Sequence, residues 1–340
     1  MNILIRVDSS KLIGSGHLMR CLTLAEKCRQ DGDRVTFVCR DLENNLSRLV
    51  QEKDFELVLL PRAEARDNLT GYAKWLEVSQ EQDAADTIAA MGKTGRPDRV
   101  VVDSYAIDVV WEQLIRPYTD EIFVIDDLAN RRHDCDYLLE QGFHHEQEQR
   151  YTDLVPAGCK MLLGPKHALL REEFYRAGKR ARTGSLKNIL VFYGGIDMTG
   201  ETLKALRAIV RAKLPDINVM VVVGRTNPRK QEIYEFCQLY DFMEYFEQVS
   251  NMAELMQEAD VMLGAGGGVA LERCFMRLPA LVTAVAENQR EGCICCDEKG
   301  VSRYLGYWNE VTEESIVDSL HSIKAEDLLA MSLKCEEIFC

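Results

Sequence analysis

Twice along the chain, short runs of β-branched and aliphatic residues alternate with longer stretches of helical period, and this alternation leaves few folds open. In the first half, residues 2–7, 35–39, 57–60, 99–103, 122–125 and 137–139 read as strands. Helical period fills residues 18–30, with Leu18, Cys21, Leu22, Leu24 and Ala25 on one side, and recurs over 69–91 and 109–117. Strands joined through helices build a mostly parallel sheet covered on both faces.

A second series follows a basic, helix-prone stretch at residues 171–182. Its strands fall at 188–192, 218–223, 243–246, 261–263 and 280–285, with helices at 201–212, 229–240, 252–258, 269–276 and 290–299. The two series do not align as a close repeat, and 340 residues exceed what one hydrophobic core usually serves. The expectation is an α/β protein of two Rossmann-like, doubly wound domains, residues 1–170 and 171–340, with the boundary within 165–186. Doubly wound sheets bind ligands beyond the carboxyl ends of their strands, so an interdomain cleft is the expected site.

Composition narrows the partner. Lys plus Arg number 41 against 55 Asp plus Glu, a net charge of −14, which argues against nucleic acid or an anionic membrane. The longest apolar runs, such as 219–223, are far shorter than the roughly 18 residues that cross a bilayer. Residues 1–8 read as a buried strand rather than an export signal, so the twelve cysteines are expected as reduced thiols. A cytoplasmic monomer acting on a small molecule is the expectation.

Two glycine-rich turns join a strand to a helix: Gly14-Ser15-Gly16-His17 and Gly264-Ala265-Gly266-Gly267-Gly268. Glycines let backbone N–H groups approach a phosphate, and the following helix adds free donors and a partial positive charge. Neither turn is a Walker loop or a full dinucleotide fingerprint, so a tight turn without a ligand is the competing reading. Glu272, one helical turn past Gly268, is placed either to accept ribose hydroxyls or simply to favour the helix dipole. His17 at a helix start suits a neutral imidazole that takes a proton from water, with helix capping as the alternative. Asp8, Asp103 and Asp126-Asp127 end strands near it; each is equally able to cap a helix. Asp134-Cys135-Asp136 beside His133 formally fits a metal motif but precedes a strand. Cys293, Cys295 and Cys296 lie in one helix without a second pair at zinc-finger spacing and read as buried thiols. No metal or other cofactor is expected.

Several blocks together resemble a known family. Arg6-Val7-Asp8-Ser9-Ser10 with Ile13-Gly14-Ser15-Gly16-His17, Val102-Asp103-Ser104-Tyr105, and Ile125-Asp126-Asp127 are similar to the UDP-sugar hydrolases of pseudaminic acid biosynthesis. Leu163-Gly164-Pro165, Ala168-Leu169-Leu170-Arg171-Glu172-Glu173-Phe174 and Tyr193-Gly194-Gly195-Ile196-Asp197 continue the match. The stretch from Gly264 to Glu272, with Glu287-Asn288-Gln289, resembles the UDP-binding half shared with the glycosyltransferase-B superfamily. Residues 61–96 and those beyond 311 carry no motif of the family. The resemblance implies metal-independent hydrolysis of UDP-2,4-diacetamido-2,4,6-trideoxy-β-L-altropyranose, by water attack at the anomeric carbon with inversion. It makes His17 the catalytic residue and Glu272 the ribose ligand. Asp103, Tyr105 or Asp126 would orient His17 or bind acetamido groups. Gly14, Gly16, Gly194, Gly195, Gly266, Gly267, Gly268, Asn288 and Gln289 complete the expected substrate and UDP contacts. A glycosyltransferase using a UDP-amino sugar donor is the alternative; a sugar-nucleotide-binding regulator and a UDP-sugar epimerase are more distant ones.

Overall fold

Ile3, Leu4, Ile5 and Val7 are at most 2% exposed, so the first strand is covered on both faces, as parallel sheets require. In the computed structural model, which describes residues 1–62, 69–184 and 186–339, the chain divides into two units. One holds Met1–Gln141 and Glu146–Leu169, the other Gly142–His145 and Leu170–Cys340.

The first unit runs β1 (Asn2–Val7), α1 (Gly16–Gln30), β2 (Arg34–Arg40), α2 (Arg48–Glu52), β3 (Glu56–Leu60), α3 (Gln80–Thr94), β4 (Arg99–Asp103), α4 (Val109–Ile115), β5 (Glu121–Ile125), β6 (Tyr137–Glu140) and β7 (Lys160–Leu163). The sheet order is β3-β2-β1-β4-β5-β6-β7, with every pairing parallel. Winding therefore reverses between β1 and β4, which leaves a crevice at their carboxyl ends. Leu18, Leu22 and Ala25 of α1 pack on one face with Ile5, Phe37 and Val101. On the other face Ala84 of α3 and Trp111 of α4 pack with Leu4, Val38 and Val100.

The second unit runs α5 (Glu172–Arg176), β8 (Asn188–Phe192), α6 (Glu201–Ala212), β9 (Asn218–Val223), α7 (Lys230–Cys237), β10 (Met243–Glu247), α8 (Met252–Glu258), β11 (Val261–Ala265), α9 (Val269–Phe275), β12 (Ala280–Ala284), α10 (Arg290–Glu298), β13 (Arg303–Tyr307), α11 (Glu313–Ser322) and α12 (Ala325–Glu337). Its parallel sheet has the order β10-β9-β8-β11-β12-β13, reversing between β8 and β11. Both units are thus Rossmann-like and doubly wound. Among the described residues no helix is long and apolar enough to cross a membrane.

Several expected helices are shorter in the structure, α7 among them (Lys230–Cys237 for 229–240), and three show why. Residues 69–91 split into a 3₁₀ turn at Gly71–Trp75 and α3, because the Ser79 hydroxyl accepts the Gln82 N–H and starts a new helix. In α4 the helix gives way at Arg116 to a 3₁₀ turn containing Pro117, which has no N–H to continue it. The basic stretch 171–182 is helical only as far as Arg176. Beyond it Arg182, 1% exposed, donates to the carbonyls of Met256, Ala259, Met276 and Arg277. Those carbonyls lie at the carboxyl ends of α8 and α9, which would otherwise be left unpaired. Burial, and then neighbouring Arg180, pull the Arg182 guanidinium down to about 10.

A buried ion cluster ties α3 to the first sheet. Asp83, fully buried on α3, accepts from Arg6 Nε (3.0 Å) and Nη2 (2.7 Å), Arg40 Nη2 (2.7 Å) and Trp111 Nε1 (3.0 Å). Asp8 shares Arg6 (2.6 Å) and accepts the Arg40 backbone N–H at 2.7 Å. Burial alone would raise the Asp83 carboxyl, but the two guanidinium groups outweigh it and hold the group below its ordinary value. Its stabilising contribution is therefore complete above the unfolded value near 4 and is lost as pH falls through the lower, folded one. Asp83→Asn should cost about 3–5 kcal/mol in urea unfolding at pH 7, because two buried guanidinium groups lose their shared carboxylate. A loss below about 1 kcal/mol would show that the cluster does not hold this face together.

Candidate active site

The turn after β1 is built to deliver a helix start at the crevice. Ser10 Oγ accepts the N–H groups of Leu12 (3.2 Å) and Ile13 (3.1 Å), and its carbonyl accepts that of Gly14 (2.8 Å). Gly14 sits at φ +84°, a left-handed conformation that favours glycine. A Cβ on Gly14 or Gly16 would meet nothing within 4 Å, so this backbone is open, and no side chain caps α1.

His17 follows in the first turn of α1. Register pairs Val7 of β1 with Asp103 at the end of β4, which brings the Asp103 carboxylate to the histidine. His17 Nδ1 lies 2.6 Å from Asp103 Oδ1. Arg20, one turn further along α1, donates from Nε to Asp103 Oδ2 (2.6 Å) and from Nη2 to Oδ1 (2.7 Å). Its Nη1 reaches Asp127 Oδ2 at 2.7 Å, and the Tyr105 hydroxyl donates to the same oxygen at 2.7 Å. Burial would raise the Asp103 carboxyl, yet Arg20 and His17 hold it well below the carboxylate range. Burial and the Asp127 charge push the Tyr105 hydroxyl well up, so it remains a donor. With Asp103 ionised, a neutral His17 carries its proton on Nδ1 and leaves the Nε2 lone pair available. Nε2 has no hydrogen-bond partner among the described residues. Arrangement of a base by a buried carboxylate is the logic of acid–base triads.

Of the carboxylates that sequence left open, Asp103 is the one that orients His17. Asp126 turns instead to Arg131 (2.7 Å), the Tyr151 hydroxyl (3.0 Å) and the N–H of Ala129 (3.0 Å). Tyr105 meets the His17 ring edge-on, with centroids 4.6 Å apart. Asp127, one of the strand-end carboxylates expected near His17, reaches the cluster through Arg20 and Tyr105, whereas Arg20 was not singled out from sequence. Arg20 had a signal, since position i+3 shares a helix face with His17. Asp134 and Asp136 both pair with Arg116, and His133 Nδ1 with Glu112 at 2.7 Å. Among the described residues no group of three or more His, Cys, Asp or Glu is arranged to hold a metal ion. Cys293, Cys295 and Cys296 are buried in α10.

In the second unit the glycine turn sits at the reversal between β8 and β11. Phe192 of β8 pairs with Gly264 of β11, and a Cβ on Gly264 would lie 2.5 Å from the Phe192 carbonyl oxygen. A Cβ on Gly266 would lie 2.0 Å from Cys293 Sγ, so packing against α10 already requires glycine there. Gly268 is exposed with open space before it, and Gly267 faces the Gln289 amide. Gln289 Oε1 accepts the Val285 N–H at 3.1 Å, while Asn288 is exposed. Gly194 follows β8 at φ +91°, and Gly195 packs its backbone against Gly224. Glu272 Oε1 accepts from Arg171 Nε (3.2 Å) and Nη2 (3.1 Å). Burial pushes its carboxyl up, against the pull of Arg171.

The chain is 25% identical over 300 residues to the UDP-2,4-diacetamido-2,4,6-trideoxy-beta-L-altropyranose hydrolase of Campylobacter jejuni, covering 88% of this chain and 97% of that one. The chain is a distant relative of that hydrolase. It is also 26% identical over 335 residues to an uncharacterized protein of Methanocaldococcus jannaschii, covering 95% of this chain, and spans 63% of that longer relative. Similarity to the spore coat polysaccharide biosynthesis protein SpsG of Bacillus subtilis is 23% over 338 residues, 98% of this chain and 92% of that one. No family model matches. Acinetobacter baumannii MurG superposes with a TM-score of 0.68 at 13% identity, over 99% of this chain and 94% of that one. Phytolacca americana UGT2 superposes with a TM-score of 0.71 at 9% identity, over 99% and 94%. These likenesses establish the fold alone, the two Rossmann-like units described above.

Nitrogen-15 NMR of histidine-labelled protein should show His17 protonated at Nδ1 and bare at Nε2 when neutral. Asp103→Asn should abolish that preference, since an amide can pair with either tautomer. An Nε2-protonated ring in the native protein would overturn the assignment of roles.

Proposed function

We propose that this protein hydrolyses UDP-2,4-diacetamido-2,4,6-trideoxy-β-L-altropyranose to the free sugar and UDP, without a metal ion, as a step of pseudaminic acid biosynthesis. The observation that carries the reading is the His17–Asp103 hydrogen bond, which leaves Nε2 open at the β1/β4 crevice. Similarity to the Campylobacter enzyme along most of both chains supports the choice of substrate.

UDP is a good leaving group, so no covalent nucleophile is needed. The protein must place one water behind the anomeric carbon and take its proton as the C–O bond to UDP breaks. His17 Nε2 accepts that proton, and the Asp103 carboxylate stabilises the imidazolium that forms. Arg20 fixes Asp103 through both carboxylate oxygens, so the ring keeps its aim. Direct attack by water inverts the anomeric configuration. In the second unit the amides of the Gly266–Gly268 turn, with Gly194 and Gly195, face the diphosphate and offset its growing charge. Glu272 Oε2, which Arg171 leaves unengaged, takes the ribose hydroxyls, and Asn288 and Gln289 bind phosphate or sugar.

His17→Ala or His17→Asn should lower kcat by about 10²-fold or more while leaving the UDP dissociation constant nearly unchanged by calorimetry. Unaltered turnover would remove His17 from the chemistry. Glu272→Ala should do the reverse and raise KM more than it lowers kcat. Native UDP affinity in that variant would remove the ribose contact.

A further inference from the structure

Beside the hydrogen-bonded groups, what surrounds His17 is aromatic. Trp75, at the end of the 3₁₀ turn, stacks on Tyr105 with centroids 5.2 Å apart and 26° between planes. Tyr72 meets Trp75 at 5.0 Å and Tyr105 at 5.1 Å, both edge-on. The His17 ring stands edge-on to Trp75 at 5.5 Å. Tyr72 is 36% exposed and Trp75 half-buried, so these rings border solvent beside the His17 ring. The polar groups here are occupied with one another: Asp103 by His17 and Arg20, Asp127 by Arg20 and the Tyr105 hydroxyl. Beyond the Tyr72 hydroxyl and the Trp75 indole N–H, the surface these rings offer a ligand that reaches His17 is aromatic carbon.

We propose that Tyr72 and Trp75 form an apolar wall that receives the methyl groups of a deoxygenated, N-acetylated sugar and discriminates against sugars with a hydroxymethyl group. The inference rests on the nucleotide-sugar reading above and adds to it the feature that selects the sugar. A 2,4-diacetamido-2,4,6-trideoxy hexose presents a C6 methyl and two acetyl methyls, which gain from contact with ring faces. A C6 hydroxyl placed against the ring faces, out of line with the Tyr72 hydroxyl and the Trp75 N–H, would lose its water without finding a partner. Such pockets discriminate modestly, by about 10- to 200-fold. Both residues lie within the stretch 61–96, in which the sequence shows no motif of the hydrolase family.

The test compares native protein with Tyr72→Ala, Trp75→Ala and Trp75→Phe on the UDP-diacetamido-trideoxy sugar and on UDP-N-acetylglucosamine. Tyr72→Ala and Trp75→Ala should lower kcat/KM for the first by about 10-fold or more, mainly through KM, and narrow its advantage over the second. Trp75→Phe should restore most of the loss, and the UDP dissociation constant should stay constant in all three. Saturation-transfer NMR on the native protein should carry magnetisation from aromatic protons to the sugar's methyl groups. Equal losses on both sugars, or methyl groups that receive no saturation, would overturn the wall. If neither sugar is hydrolysed yet the methyl groups are saturated, the hydrolase reading falls and the wall stands. Tyr72, being exposed, keeps the test valid should Trp75→Ala fail to fold.

Discussion

The 2.6 Å hydrogen bond between His17 and Asp103 joins residues 86 positions apart, and it exists because β1 and β4 lie side by side where the sheet reverses. A Rossmann-like sheet offers this adjacency at one place only, the crevice where the winding changes direction. The turn held by Ser10 and Gly14 sets the angle at which α1 leaves, so that His17 and Arg20 descend on the same carboxylate. Asp103 remains ionised in a buried position because two donors outweigh the cost of leaving water. Remove that charge and neither the tautomer of His17 nor the aim of its ring is defined.

The two glycine turns show opposite uses of the same residue. Around Gly14 and Gly16 space is open, and glycine serves a left-handed turn and an accessible backbone. At Gly264 and Gly266 the space is filled by the Phe192 carbonyl and the Cys293 thiol, so glycine there serves packing between neighbouring elements. At Gly268 the space is open again, and the carbonyls of Gly267 and Gly268 accept N–H groups in the first turn of α9. Elsewhere buried charges are matched by chemistry suited to each place: carboxylates for Arg6 and Arg40, helix-end carbonyls for Arg182.

The central strands were legible because buried parallel strands are nearly continuous aliphatic runs, as in Ile3-Leu4-Ile5 and Val219-Met220-Val221-Val222-Val223. β7 and β13 escaped notice because they close their sheets as edges, are only partly buried, and mix charged or aromatic residues with glycine or methionine. α11 and α12 lie where no recognisable motif drew attention. At the candidate site, glycine spacing and strand-end carboxylates pointed to His17 and Asp103, and Tyr105 came with the resemblance of Val102-Asp103-Ser104-Tyr105 to the hydrolases. Choosing Asp103 over Asp126 needed strand register, which periodicity does not encode. Tyr72 and Trp75 meet within one 3₁₀ turn, but their packing on Tyr105 and His17 spans long stretches of chain and leaves no local pattern.

Hydrolysis at carbon, with His17 receiving the proton of water, is the claim on which the functional account turns. Turnover of the UDP-diacetamido-trideoxy sugar in oxygen-18 water, followed by proton NMR and mass spectrometry, tests it most directly. The account predicts oxygen-18 in the released sugar, first formed as the inverted anomer, and none in UDP. Label in UDP would mean attack at phosphorus, a retained anomer would mean two displacements, and either result would contradict it.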